Sequence, residues 1–92
     1  MNQTQAELFA AGILGWLAND HARIGAFLAS TGMAPSELHA AVAEPSFLLA
    51  VIDFLMADEA MLLDCCAALE APPTRPAAAR AAMPGGENVH WT

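Results

Sequence analysis

Apolar positions along the chain recur at helical spacing and are interrupted by caps and breakers. Phe9, Gly12, Ile13, Trp16 and Leu17 fall at i, i+3, i+4, i+7 and i+8, one face of a helix. Upstream, Thr4-Gln5-Ala6-Glu7 has capping-box spacing, in which the Thr hydroxyl accepts from the Glu amide and the Glu side chain reaches back. This predicts a first helix that ends near Asn19. Asn19 or Asp20 then caps a second helix carrying Ile24, Phe27 and Leu28, and Gly32 suits the left-handed residue that closes it.

Pro35 and Pro45 fit first helical positions, where the missing N–H is no loss. The third helix is short, with Leu38, Ala41 and Val42 facing inward. The fourth, from Pro45 to about Met56, is apolar round most of its circumference through Phe47, Leu48, Val51, Ile52, Phe54 and Leu55, as a buried central helix is. Asp58 caps a fifth helix with an inward stripe of Leu62, Cys65, Cys66 and Leu69, ended by Pro72-Pro73. Thr74 caps a final alanine-rich helix running to about Met83. The fold class is therefore all-α: a compact array of five to six short helices over residues 1–83, with a flexible C-terminal tail over 84–92.

Composition strengthens the helical reading. Tyr is absent, Val and Ile are scarce, and Ala, Leu, Glu and Met carry the lowest helix costs. The net charge of −7 is unevenly spread. Residues 35–71 hold Glu37, Glu44, Asp53, Asp58, Glu59, Asp64 and Glu70 without one basic residue, and lysine is missing from the whole chain. Nucleic-acid affinity rests on Lys and Arg neutralising phosphate, so this middle segment repels nucleic acid and anionic membranes. It keeps the chain soluble, and it attracts a basic partner if it attracts any.

The longest apolar stretch, Phe47 to Ala57, is broken by Asp53 and falls short of the ~18 residues of a membrane span. Met1 to Gln5 lacks the basic start of a signal peptide. A cytoplasmic location is the expectation, and adjacent thiols at Cys65-Cys66 agree with a reducing compartment.

Candidate chemistry is thin. Ile24 to Ala43 has a helix-turn-helix outline, but its second helix offers Glu37 and Glu44 where a DNA reader needs basic or amide groups. Cys65-Cys66 lacks the Cys-x-x-Cys spacing of catalytic dithiols and reads as two small buried hydrophobes. His21, His39 and His90 stand far apart, so no metal or other cofactor is implied. No nucleophile and base are paired, and an enzyme is the poorest reading.

Asp53 interrupts the most apolar helix. It either pairs with Arg23, the only arginine before the tail, or marks a narrow wet edge. Trp91 either anchors a partner pocket or folds back on its own helices. Asp53, Asp58, Glu59 and Trp91 are accordingly the candidate partner-binding residues.

Three segments carry a resemblance: Phe27 to Met33, Pro45 to Leu55, and Asp58-Glu59 with Leu62-Leu63, closed by Pro84-Gly85-Gly86. From Ala6 to Gly86 the chain is similar to an alphaproteobacterial family, domain of unknown function 3572. The resemblance implies a stand-alone helical domain in a bacterial cytoplasm and transfers no catalytic or binding residue. The function expected is a protein–protein interaction module or regulatory adaptor, through a protein partner or self-association. The alternative is an apolar-ligand binder lined by Phe47, Phe54, Met56 and Met61.

Overall fold

The structure, a computed structural model, describes residues 1–86. Six α-helices follow in order: α1 (Gln3–Ala18), α2 (His21–Thr31), α3 (Leu38–Ala41), α4 (Pro45–Met56), α5 (Glu59–Ala68) and α6 (Arg75–Ala81). A 3-10 turn over Pro35–Glu37 leads into α3. There is no strand among the described residues.

The starts follow the capping chemistry, with one shift. The capping box of α1 is built from Asn2 and Gln5: the Gln5 amide donates to Asn2 Oδ1 at 2.8 Å, and the Asn2 amide donates to Gln5 Oε1 at 2.9 Å. Thr4 therefore lies inside the first turn. The same i, i+3 geometry was available two residues earlier, and using it lengthens the helix. Asp20 caps α2 by accepting from the Arg23 amide, and Asp58 caps α5 by accepting from the Met61 amide. Thr74 occupies the cap position of α6 without making a side-chain cap bond.

The ends are equally local. Gly32 closes α2 at φ +75°, which glycine adopts without steric cost. At the end of α5 the left-handed residue is Glu70, at φ +55°. The Ala71 amide reaches the Cys66 carbonyl at 2.8 Å and the Glu70 amide reaches the Ala67 carbonyl, a Schellman closure. A side chain in this conformation is costly. Glu70→Gly is expected to stabilise the domain by about 1 kcal/mol, net of the extra freedom it gives the unfolded chain. That is a rise in Tm of roughly 4–8 °C, read by thermal melting.

The core sits between α1 and α4, with α6 packed against both, α5 against α4, and α2 against α1. From α1, Ala6, Ala10, Ile13, Leu14 and Leu17 are buried; from α4, Phe47, Leu48, Val51, Ile52 and Leu55. Small residues at Ala6 and Ala10, together with Ala79 of α6, let backbones approach closely. Phe27 is the one buried residue of α2. Its ring meets Phe47 and Phe54 edge-on, at centroid distances of 5.6 Å and 5.3 Å.

The domain does not stop at Met83. Pro84 to Gly86 fold back, Gly86 is buried, and its amide donates to the Met83 carbonyl at 3.0 Å. A Cβ at Gly86 would overlap the Arg80 carbonyl and press on Leu49, so only glycine fits there. Pro84 to Gly86, expected to belong to a loose tail, are therefore packed on the domain, and His90 and Trp91 lie outside the described residues. The third helix is one α-turn after a 3-10 turn, and Val42, expected inward, is exposed. No single helix among the described residues is long and apolar enough to cross a membrane.

Candidate functional site

The four residues singled out in the sequence do not form one cluster. Asp53 leaves α4 on its exposed side and pairs with Arg80 of α6, whose Nε donates to Asp53 Oδ1 at 2.5 Å. The expected partner, Arg23, lies elsewhere: its guanidinium stacks over the Trp16 ring, 3.8 Å from the centroid. The reason is topological, because α6 packs along α4 whereas α2 packs along α1. Arg80 also donates through Nη1 to the Gly86 carbonyl at 3.0 Å, so one side chain ties α4, α6 and the closing turn together. The Arg80 and Asp53 side chains are 36% and 48% exposed, and solvent screening limits the pair's worth to about 0–1 kcal/mol.

Asp58 is committed to capping α5, while Glu59 beside it is exposed and makes no side-chain hydrogen bond among the described residues. Asp58 and Glu59 are brought together at the start of α5. Asp53 is held apart by its own pairing, and Trp91 lies outside the described residues.

The surface feature that periodicity missed lies on α5 and α1. Leu62, Cys65, Cys66 and Leu69 face inward on α5 as expected. The opposite face is also apolar: Ala60, Leu63 and Ala67 are all exposed, at i, i+3 and i+7, and Leu63 is 46% accessible. Glu59 and Asp64 flank this stripe on its two sides. The outward face of α1 reads Thr4, Leu8, Ala11, Gly15 and Ala18, all exposed and uncharged, with Leu8 69% accessible. The signal was present in the sequence as two helices whose apolar residues exceed one stripe.

The remaining chemistry is confined. Cys65 and Cys66 are buried free thiols. Burial, then the neighbouring Cys66, pushes the Cys65 thiol up to about 11 against the lowering pull of Arg23. Burial raises Cys66 as well, opposed by Arg75. Such thiols stay protonated and are poor nucleophiles and ligands. Among the described residues no group of three His, Cys, Asp or Glu side chains is placed to hold a metal ion.

Open clefts indent the surface of the described residues. One of about 450 Å³ is lined by Met1, Gln5, Phe9, Arg75 and Ala78, and one of about 310 Å³ by Met56, Ala77, Arg80, Ala81 and Gly86. Of the side chains expected to line an apolar pocket, only Met56 reaches either cleft. Phe47 and Phe54 instead grip the ring of Phe27 between them.

Comparison with known proteins adds one finding. The family model described as Protein of unknown function (DUF3572) matches residues 3–86. That span begins with α1 and ends at the buried Gly86. No curated protein and no solved structure matches the chain.

Proposed function

The chain belongs to the DUF3572 family, and on that premise we propose that it is a protein–protein interaction module. One observation carries the reading: α1 and α5 are apolar on their outward as well as their inward faces, and expose Leu8 and Leu63 to solvent. A helix apolar all round is ordinarily buried on all sides, and contiguous exposed apolar surface marks contact sites. The role is that of a binding domain and not of an enzyme. Free thiols support a cytoplasmic setting, and the carboxylates of residues 35–71 disfavour nucleic acid as the partner.

The test is affinity capture from cells of the native source, read by quantitative mass spectrometry, with wild-type chain, Leu8→Asp and Leu63→Asp side by side. Both leucines are exposed, so the variants are expected to keep the wild-type helical circular dichroism. The expected result is one strongly enriched protein, or a second copy of the chain, reduced at least tenfold by one of the two changes. Enrichment indifferent to both changes, or bait alone, overturns the reading. Glu59→Gln, Asp58→Asn and Trp91→Ala in the same series locate the contact. Asparagine caps a helix as well as aspartate does, so Asp58→Asn alters charge without loosening α5.

A further inference from the structure

The two exposed apolar faces differ in what surrounds them. Nothing in the structure says what covers the uncharged stripe of α1. On α5 the surrounding charges do say. Ala60, Leu63 and Ala67 form the stripe, Glu59 borders it on one side, and Asp64 borders it on the other. We propose that this face is the docking site for an amphipathic helix of another protein, one whose apolar stripe is flanked by lysine or arginine. The proposal rests on the interaction-module reading and names the partner class for one of its two faces.

Leu63 stands nearly half exposed between two alanines, a single knob with low ground on either side along the helix axis. A facing helix can come close at Ala60 and Ala67 and place its own larger side chains there. That is knobs-into-holes packing at helical spacing. Flanking positions of such a pair lie at the rim, where charges choose the partner more than they add affinity.

Those rim positions here are Glu59 and Asp64, and no basic residue occurs anywhere from 35 to 71. A second copy laid on this face would set the exposed Glu59 and Asp64 carboxylates against those of its partner. Self-association through α5 is therefore disfavoured, and a helix with basic flanks is favoured by the same charges. Asp58 sits at the same end of the helix and adds to the field, although its carboxylate is engaged by the Met61 amide. Arg80 is paired with Asp53, and Arg23 and Arg75, whose charges reach α5, act on its inward thiols Cys65 and Cys66.

The experiment titrates the full chain, labelled with nitrogen-15, against two synthetic helical peptides that share one leucine–alanine stripe. One peptide carries lysines on both flanks of the stripe, and its twin carries glutamates. The expected result is amide shift changes concentrated in residues 59–68 with the lysine peptide, and at least tenfold weaker binding of the glutamate twin. Leu63→Asp is expected to weaken the lysine peptide at least tenfold. Glu59→Lys combined with Asp64→Lys is expected to reverse the preference between the twins.

Shift changes that map away from α5, equal binding of both twins, or affinity indifferent to Leu63 overturn the assignment, as does no binding by the lysine peptide. The fate of the broader reading is separate. If cellular capture is lost with Leu8→Asp and kept with Leu63→Asp, the chain remains an interaction module and the α5 assignment falls.

Discussion

Phe27→Ala is expected to cost the domain about 3–5 kcal/mol, the ordinary range for deleting a buried aromatic ring. A domain of this length has only about 5–14 kcal/mol in total, so the variant should sit close to its unfolding threshold at physiological temperature. Phe27 is fully buried and is the one buried side chain of α2. Its ring makes edge-on contacts with Phe47 and Phe54 of α4, and such pairs add about 0.5–1.5 kcal/mol beyond area burial.

Loss of this ring therefore removes the one buried side chain of α2 and its aromatic contacts with α4. Urea unfolding followed by circular dichroism gives the total. Hydrogen exchange gives the distribution: protection in α2 should collapse before that in α1 and α4. Phe27→Leu, which keeps most of the volume, should lose much less. A loss for Phe27→Ala below about 1 kcal/mol would mean that α2 is held by something other than this ring.

The helices were readable because their signals are local. Asp20, Gly32, Pro45 and Asp58 act within one turn of their own positions, and each sits where capping chemistry places it. The inward stripe of α4 was readable for the same reason. Long-range pairings were not. Asp53 stood out as a carboxylate in an apolar helix, but Arg80 lies 27 residues away on a helix whose packing against α4 no local signal reports.

Composition points to Arg23 as the partner, yet Arg23 is satisfied by an aromatic face seven residues back. Pro84-Gly85-Gly86 suggested slack because proline and glycine break helices. At Gly86 the glycine serves close contact instead, against the Arg80 carbonyl. Exposure of Leu63 could not be read from spacing, because a helix with apolar residues on two faces hides which one its neighbours cover. Helix α5 packs on α4 along its Cys65-Cys66 side and leaves the other bare. The candidate site was thus half legible: its carboxylates Asp58 and Glu59 were seen, and the apolar face beside them was not.

Raising the pH from 9 to 11 is expected to lower the stability of the domain, through Cys65. The unfolded thiol titrates near 9.0, and burial pushes the folded one up to about 11. Between these values the unfolded chain gives up its proton while the folded chain keeps it, so the folded state binds more protons. Stability then falls as pH rises: it is whole below 9 and is lost progressively towards 11. At about 1.4 kcal/mol per pH unit the loss reaches up to about 2 kcal/mol, with a smaller share in the same direction from Cys66.

This sequence makes the test unusually clean. It contains no lysine and no tyrosine, and arginine stays charged throughout, so the two thiols are the side chains that titrate in that window. Urea midpoints measured at pH 8, 9, 10 and 11 should fall steadily for the wild type. For Cys65→Ala, less stable at every pH for want of its sulfur, the slope should flatten to the part contributed by Cys66. The same burial predicts that thiol reagents label neither cysteine at pH 8 until denaturant opens the core. Parallel pH curves for the two proteins, or rapid labelling of the folded chain, would mean that Cys65 is wetter than its place on the inward face of α5 allows. The inward face of α5 would then be as loosely covered as the outward one.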